Sequence, residues 1–474
     1  MPRRRAVFNS PGEHGPANLP HSNPTHSFWT HSPGANPLAA EGSTGALTDE
    51  ADLCIIGSGI TGVSAAYHLA NAVEHGTFPI PEGATKLHAV ILEARDFCNF
   101  NGWHSGRNGG NLTPFEFVGF REAEEIFGRV AALRYFAIEH YTANEMTRIA
   151  REAGWADAVD LVEGGHVDAI LTEQDLEEFR ADFDAAVAAG KYVNVTWLGK
   201  DEMNSVSVQT YGMDSWGVRG PGYNLWPLKF VTQLFNQAKA STPALDLRLH
   251  TRTPVTSVTP LTKSSSRRWA LETHRGNVRC SYVLHATNGY ASHILPHMAG
   301  PTGIIPVRGQ VMALRADASL EELTKVSWIA KSGYWFPRPA AGNEHPVVIL
   351  GGAREDAGPP FETYVTDDSK VDSQIGATLR GFLPALLPRL YAPGREPERE
   401  WVGPVLDSAG SVASDFYEGQ FISAGYSGHG MPRAFACAEV VIRMVADEIA
   451  GRQRMLPAWF PLQFLTSVRD ASPQ

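Results

Sequence analysis

Cysteine is scarce in this sequence, and the few cysteines are scattered. Four occur in 474 residues, Cys54, Cys98, Cys280 and Cys437, with no C-x-x-C pair and no histidine cluster at zinc spacing. The pattern predicts neither a disulfide framework nor a metal site. We expect Cys54 and Cys437 to be small buried apolar residues, and a reducing cytosol to be the compartment.

Long apolar runs and clustered positive charge are also missing. No stretch of 18 apolar residues occurs, so no transmembrane segment is predicted, and the N-terminus lacks the apolar region of a secretory signal. The formal net charge is -11, whereas nucleic-acid binding needs clustered Lys and Arg. We therefore expect a cytoplasmic protein that binds a small molecule and no nucleic acid. Its oligomeric state is not indicated.

The most informative feature that is present is a glycine-rich turn. An apolar segment, 51–56, leads into Gly57-Ser58-Gly59-Ile60-Thr61-Gly62, spaced G-x-G-x-x-G, and a helical pattern continues over 63–73. The first glycine allows the bend, the second admits a pyrophosphate, and the third lets helix and strand pack closely. Unpaired N–H groups at the helix start can bind phosphate without a basic side chain. The turn predicts a dinucleotide, either NAD or FAD.

A second apolar strand follows and supports this interpretation. Residues 88–92 end in Glu93, a carboxylate placed to accept hydrogen bonds from the hydroxyls of an adenosine ribose. The gap between the turn and Glu93 exceeds the usual spacing of about 20 residues, and an insertion at 74–86, expected to be a surface loop, accounts for the excess. The alternative is an ordinary β-α-β turn without a nucleotide.

The chain leaves the nucleotide-binding unit and returns to it. Residues 1–48 are rich in Pro, Ser, Asn, Gly and His, and Phe28 and Trp29 are expected to anchor this arm. Further nucleotide-type strands occur at 282–286, leading into Thr287-Asn288-Gly289, and at 419–425. Short strands between 309 and 353 indicate a separate antiparallel sheet.

These patterns predict an α/β (α+β) fold in which a discontinuous Rossmann-type domain carries an inserted antiparallel-sheet substrate domain. The expected boundaries are 1–48 for the arm; 49–150, 216–300 and 399–474 for the nucleotide-binding domain; and 151–215 and 301–398 for the substrate domain. Helices are expected over 116–151, 173–189, 224–239 and 434–450.

Two further loops are candidates for cofactor contact. The segment Ser105-Gly106-Arg107-Asn108-Gly109-Gly110 would expose backbone N–H groups to anionic or carbonyl oxygens; the alternative is a flexible surface loop. Between a late strand and helix lies Gly425-Tyr426-Ser427-Gly428-His429-Gly430-Met431, whose amides and helix dipole could face a reduced flavin. The alternative there is a plain loop with a solvent-facing His429.

In combination, these stretches resemble the D-amino-acid-oxidase-like FAD-dependent oxidoreductases, a group that includes sarcosine, glycine and γ-glutamylputrescine oxidases. The glycine turn with Glu93 and the segments 105–110 and 425–430 match that family in order and spacing. So do the segments 223–227, 308–310, 334–339 and 350–352. The resemblance covers about residues 50–450. The S-G-R-N-G-G form and the Ser27-Phe28-Trp29 arm are most similar to the γ-glutamylputrescine-oxidase branch.

The resemblance implies an extended FAD, with ADP on the glycine turn and the flavin between the domains. The cofactor-binding residues are then expected in the three glycine-rich segments, at Glu93, and at Val255, Thr287, Asn288 and Gly289. The family's usual reaction removes a hydride from a carbon bearing an amine, which gives an imine, and O2 reoxidises the flavin with release of H2O2. This chemistry needs an oriented substrate, not a Ser-His-Asp triad or a metal, and the sequence indicates neither.

Several positions depart from the family's pattern. Val405 stands about where several amino-acid oxidases of the family have a carboxylate-binding Arg after a W-x-G element, here Trp401-Val402-Gly403. No cysteine lies near Gly403 to link a flavin, and Ile349 stands near the position of a lysine credited with oxygen activation. These departures predict non-covalent FAD, disfavour a simple α-amino acid as substrate and leave the electron acceptor open.

The expected catalytic residues are His429, Tyr334 and Arg338, with Trp335 and Arg354 as further candidates for substrate contact. The aromatic residues also fit core packing between sheet and flavin domain, and the arginines also fit structural ion pairs. Three functions stay open. They are an FAD-dependent amine oxidoreductase, a flavin enzyme acting on a non-amine biosynthetic intermediate, and a flavin-binding protein without turnover.

Overall fold

The computed structural model describes residues 15–99, 106–205, 215–262, 265–301, 303–330, 333–340, 344–408 and 417–466. The helices are α1 Phe28–His31, α2 Ile60–Glu74, α3 Phe120–Phe127, α4 Arg129–Glu152, α5 Glu173–Ala188, α6 Lys200–Ser205, α7 Pro227–Ala240, α8 Ala291–Ile294, α9 Leu320–Leu323, α10 Ser373–Leu386 and α11 Met431–Ile449. The strands are β1 Glu50–Ile56, β2 Leu87–Leu92, β3 His166–Ile170, β4 Thr196–Leu198, β5 Trp216–Gly220, β6 Leu245–His250, β7 Val255–Pro260, β8 Trp269–Thr273, β9 Gly276–His285, β10 Ile304–Arg315, β11 Ser327–Ala330, β12 Gly333–Pro337, β13 Val347–Gly352, β14 Arg399–Ser408 and β15 Gln420–Ile422.

The first sheet is the nucleotide-binding unit. Its order is β6-β2-β1-β9-β8-β7, and β15 also pairs with β9. The strands β6, β2, β1, β9 and β15 are parallel, whereas β8 joins β7 and β9 in antiparallel hairpins. Helices α2, α7 and α11 pack on one face. Because both faces of its central strands are covered, β1 is buried continuously over 51–56 and does not alternate between buried and exposed residues.

The second sheet has the order β14-β10-β13-β12-β11-β3-β5-β4. All of its neighbours are antiparallel except β11 and β3. Helix α10 covers one face, where Leu379 and Leu383 pack against Met312 and Leu350. The other face presents Tyr334 and its neighbours towards the arm and the nucleotide-binding loops. The predicted fold class, a Rossmann-type domain with an inserted antiparallel-sheet domain, is therefore confirmed.

Two expected boundaries need correction. The boundaries at 216 and 399 assign β5 and β14 to the nucleotide-binding domain, but β5 pairs with β3 and β4, and β14 pairs with β10 over ten residue pairs. Both strands therefore belong to the second sheet. Alternation along a strand does not reveal which sheet its backbone joins. The expected helix over 116–151 also divides into α3 and α4, because Gly128 has φ of 80°.

The cysteines are arranged differently from the expectation. Cys54 is buried as expected, but it forms a disulfide with Cys280 between β1 and β9. The two residues are 226 positions apart, so only the pairing of these strands brings them together. Cys437 is partly buried on α11. Among the described helices, none combines the length and apolar character that crossing a bilayer requires.

Candidate active site

The glycine turn at 57–62, here called the first loop, is shaped for close approach. Gly57 has φ of 111°, and a Cβ atom there would lie 2.6 Å from the carbonyl oxygen of Ala286. A Cβ atom on Gly62 would lie 2.0 Å from the carbonyl oxygen of Gly57. Helix α2 begins directly after Gly59 without a side-chain cap, so its first N–H groups stay available to a ligand. The loop fits a pyrophosphate.

Glu93 ties the first loop to β2. Its fully buried carboxylate accepts hydrogen bonds from the backbone N–H and Oγ of Ser58 at 2.9 and 2.8 Å, and from the N–H of Arg95 at 2.9 Å. Burial raises the pKa of Glu93, and these donors oppose the shift. A carboxylate can accept about four hydrogen bonds, so one position is left for a ribose hydroxyl.

A small pocket adjoins the first loop at the end of the parallel strands. Gly57, Leu92, Val255 and Thr287 line it, together with Leu19 of the arm. The buried hydroxyl of Thr287 has no hydrogen-bond partner among the described residues. A mostly apolar pocket with one unsatisfied hydroxyl fits the adenosine part of a dinucleotide.

Indole rings fix the backbone of the second loop, which is described over 106–110. Trp29 donates its Nε1–H to the carbonyl of Asn108 at 2.5 Å, and Trp401 donates to the carbonyl of Arg107 at 2.6 Å. The side-chain oxygen of Asn108 accepts from the N–H of Gly110 at 2.7 Å. A Cβ atom on Gly109 would lie 2.3 Å from the hydroxyl oxygen of Tyr334, so the loop rests directly on the second sheet.

The side chain of Arg107 binds other parts of the protein and is therefore not available to a ligand. Its buried guanidinium donates to the carbonyl of Val402 at 2.8 Å and to Thr25 of the arm, and lies 3.6 Å from Asp368. Burial lowers the pKa of Arg107 to about 10, against the opposing effect of Asp368. Any contact of Arg107 with a cofactor would therefore come from its backbone. Ser105, also an expected cofactor residue, lies outside the described residues.

The N-terminal arm runs from the pocket beside the first loop to the second loop. Near the adenosine pocket, the N–H of Ala17 donates to Ser292 Oγ at 2.9 Å. Further along, the N–H of Thr25 donates to the carbonyl of Asp368 at 2.8 Å, and Ser27 Oγ donates to the carbonyl of Gly106 at 2.6 Å. Trp29 is fully buried, so its expected role as an anchor is confirmed. The arm links the adenosine pocket to the second loop.

The third loop, 425–431, holds an uncommon backbone. Tyr426 and Ser427 have φ of 52° and 45°, a left-handed conformation that is uncommon for residues other than glycine. The N–H of Gly425 donates to Asn288 Oδ1 at 3.2 Å. The Tyr426 hydroxyl lies 3.0 Å from Thr61 Oγ1 of the first loop. The expected cofactor residues of the first and third loops and of 287–289 thus meet at one edge of the first sheet.

His429 of the third loop is held by a buried carboxylate. Its Nδ1 lies 3.1 Å from Glu139 Oε1, and its ring stacks on Phe115 with centroids 3.9 Å apart. Glu139 also accepts from Arg433 Nε at 2.8 Å and from the N–H of Phe115 at 2.9 Å. Burial alone would raise the pKa of Glu139, but His429 and Arg433 outweigh it and lower the pKa to about 2.

The ionised Glu139 determines which nitrogen of His429 carries hydrogen. An ionised carboxylate can only accept, so Nδ1 of His429 must donate to it. When the ring is neutral, its lone pair therefore lies on Nε2, on the side of the ring opposite Glu139. His429 retains 22% of its side-chain exposure, whereas Glu139 has none. The arrangement is a partly exposed base oriented by a buried acid.

The other expected catalytic residues are both buried at the second sheet: Tyr334 lies on β12, and Arg338 directly follows that strand. Tyr334 is buried between Gly109 and Gly351, and burial raises its pKa. Arg338 is also buried; it donates to the side chain of Asn224 and, at 3.0 Å, to the carbonyl of Asp160. These contacts match the structural alternative for Arg338.

The two further candidates for substrate contact are also separated. Trp335 lies on the opposite face of the second sheet from Tyr334, stacked on Trp328 in the core under α10. Arg354 begins a short 3-10 turn after β13 and is half-buried. Trp335 therefore faces away from the cofactor-binding loops, and Arg354 lies just beyond the end of β13.

The sequence patterns did not identify Glu139. It lies on α4 in line with the buried residues Phe136, Ala143 and Met146, which follow helical spacing. An acidic residue is rarely buried unless it has a partner. A glutamate within the apolar stripe of a helix was therefore the signal that could have identified Glu139. The partner, Arg433, is 294 positions away on α11, so no local pattern could have indicated it.

Replacing Trp29 with Phe tests the arm's anchor. The change removes the donor to the buried carbonyl of Asn108, so we expect the free energy of unfolding to fall by about 1–3 kcal/mol and the thermal midpoint to fall with it. Trp459→Phe is the matched control, since that ring stacks on Tyr141 and its indole N–H has no hydrogen-bond partner among the described residues. Equal shifts in both variants would contradict the anchoring role.

Comparison with known proteins agrees with this geometry. The profile of the family described as FAD dependent oxidoreductase matches residues 52–444. The probable oxidoreductase OrdL of Rhizobium meliloti (strain 1021) is 24% identical over 418 residues, which are 86% of this chain and 87% of that protein.

Solved structures share the fold. Glycine oxidase from Bacillus cereus ATCC 14579 superposes with a TM-score of 0.61 at 16% identity, over 90% of this chain and 99% of its own. The L-amino acid deaminase from Proteus vulgaris, lacking its specific insertion sequence, gives 0.61 at 18% identity over 91% and 99%. The profile match spans most of the chain, and the chain belongs to the FAD-dependent oxidoreductase family, as an enzyme whose cofactor is FAD.

Proposed function

We propose that this enzyme oxidises an amine: it removes a hydride from the carbon next to the substrate nitrogen, releases an imine, and uses O2 as the acceptor, which leaves as H2O2. The Glu139–His429 pair carries this proposal. A neutral imidazole whose second nitrogen is already bound to a carboxylate is suited to accept one proton from a substrate ammonium.

Deprotonation matters because of the electronic demand of the reaction. The carbon that loses hydride is stabilised by the nitrogen lone pair, and an ammonium has no lone pair to give. His429 Nε2 would take the ammonium proton, and Glu139 would stabilise the resulting imidazolium. FAD, when bound, supplies the acceptor for the two electrons and the hydrogen that leave the carbon.

The remaining residues hold the cofactor and exclude water. The first loop and Glu93 would bind the pyrophosphate and the ribose of the ADP part, and Thr287 and Val255 would line the pocket for its adenosine. The second and third loops would bind the flavin end. We propose that FAD is bound without a covalent link. The similar structures are a glycine oxidase and an L-amino acid deaminase, which supports a substrate that contains an amine.

Anaerobic mixing with a panel of primary and secondary amines tests the proposal. We expect at least one amine to bleach the visible flavin absorbance, and admission of air to restore it with one H2O2 per flavin, measured by a peroxidase-coupled assay. If dithionite bleaches the flavin and no amine does, a non-amine substrate is favoured instead. If an amine bleaches the flavin but air does not restore it, O2 is not the acceptor.

A further inference from the structure

Asp168 lies on the face of the second sheet that carries Tyr334. It stands opposite Ile329 of β11, and Ile329 stands opposite Tyr334 of β12. Residues directly opposite one another in a sheet point to the same face. Tyr334 in turn contacts Gly109 of the second loop. The carboxylate therefore leaves the sheet on the side of the cofactor-binding loops.

Two apolar clusters flank Asp168 on that face. On one side, Ile329 packs with Tyr334 and Trp29. On the other side, Val218 stands opposite Asp168 on β5 and belongs to a cluster that includes Phe115. The ring of Phe115 is the one that stacks on His429. Asp168 thus lies between these two clusters on the face towards the cofactor-binding loops.

The charge of Asp168 has no partner cation among the described residues. Among the described residues, the ion-pair contact of Asp168 is with His166, whose Nε2 lies 3.9 Å from Asp168 Oδ1. Burial lowers the pKa of His166 to about 3, so this ring is neutral; its Nδ1 lies 2.8 Å from Ser327 Oγ.

The side chain of Asp168 is largely buried, but a small molecule can still reach it. The side chain keeps 25% of its exposure, and burial raises its pKa to about 7. A carboxylate that is enclosed and has no cation partner among the described residues gains strongly from a cation that can replace the lost water. A substrate carboxylate would instead be repelled.

We propose that Asp168 binds a second cationic group of the substrate, an ammonium at the end remote from the amine that reacts at His429. This rests on the proposed function. The methylene chain between the two nitrogens would lie against the apolar residues that flank Asp168, Ile329 and Val218. The substrate class is therefore an α,ω-diamine or another aminoalkyl amine, and not an amino acid with its carboxylate at that end.

The test compares α,ω-diamines from 1,3-diaminopropane to 1,6-diaminohexane with the n-alkylamine of the same length. Binding to the oxidised, FAD-loaded protein is measured anaerobically by calorimetry, and flavin bleaching is measured separately. We expect the best diamine to bind the unmodified protein about tenfold or more tighter than its monoamine. In Asp168→Asn this preference should vanish, with the affinity for the monoamine unchanged.

Two controls keep the result interpretable. Asp201→Asn removes an exposed carboxylate of the same domain on α6 and should retain the diamine preference. Asp168→Glu keeps the charge and should retain the preference with a different best chain length; FAD content reports folding of each variant. An equal diamine preference in Asp168→Asn and the unmodified protein, or none in either, overturns the role of Asp168.

The two proposals can fail separately. If amines bleach the flavin without any diamine preference, amine oxidation stands and the Asp168 site is wrong. If diamines bind in a manner that depends on Asp168 but neither they nor monoamines bleach the flavin, the site stands and amine oxidation is wrong.

Discussion

Gly62→Ala is expected to yield protein that has lost most of its FAD. The added Cβ atom would lie 2.0 Å from the carbonyl oxygen of Gly57 and 3.2 Å from a side-chain carbon of Ile55, so the start of α2 must move away from the turn. Each charge-assisted hydrogen bond from that helix start to the pyrophosphate contributes about 1.5–3 kcal/mol. Loss of two of them raises the Kd for FAD by about 10²- to 10⁴-fold.

The measurement is the flavin-to-protein ratio after purification, followed by titration of the apoprotein with FAD. Gly381→Ala is the matched control because Gly381 also lies within a helix, α10, and a Cβ atom there meets nothing within 4 Å. Retention of stoichiometric FAD with unchanged affinity in Gly62→Ala would contradict the assignment of the first loop.

A milder variant covers the case in which Gly62→Ala fails to fold. Thr287→Val is nearly isosteric and removes the buried hydroxyl that has no partner among the described residues. We expect this variant to fold normally and its Kd for FAD to rise about tenfold, which corresponds to one lost hydrogen bond. An unchanged Kd would place the adenosine elsewhere.

The features predicted from sequence are those in which one short segment determines its own structure. The first loop needs glycine at 57 and 62 for local steric reasons, and the apolar run of β1 follows from burial on both faces of a parallel strand. The helix expected over 224–239 is observed as α7, which begins at Pro227 because proline suits the first helical position. The structure of such a segment can be predicted without knowledge of the rest of the fold.

The features that were missed depend on contacts between distant segments. Glu139 and Arg433 meet only because α4 packs on α11, and Cys54 meets Cys280 only because β1 lies beside β9. Arg107 is polar and lies in a glycine-rich loop, which favoured a ligand role, yet its guanidinium is occupied by Thr25 and Val402. The roles of these residues depend on where their side chains point in the folded protein. The spacing of residues along the sequence does not give that direction.

His429→Gln is expected to slow the bleaching of the flavin by an amine substrate about 10²- to 10⁴-fold near neutral pH while FAD content is unchanged. Glutamine cannot accept a proton at the position of Nε2, so the variant can use only the small fraction of substrate that is already a free amine in solution. An alkylammonium has a pKa of about 10.4, as in lysine, so this fraction rises about tenfold per pH unit up to that value. The deficit of the variant should therefore shrink steadily as pH is raised.

This pH profile separates a base from a residue that merely packs against Phe115, because a packing defect would lower the rate by a similar factor at every pH. His75→Gln is the matched control: His75 is exposed at the end of α2 and bonds only to the carbonyl of Asn71. It should leave rate and profile unchanged. His429→Ala, which empties the position beside Glu139, should show the same deficit and should be partly restored by added imidazole, a small base that can enter there. A variant whose deficit is constant with pH and insensitive to imidazole would show that the Glu139–His429 pair holds the third loop in shape and takes no proton from the substrate.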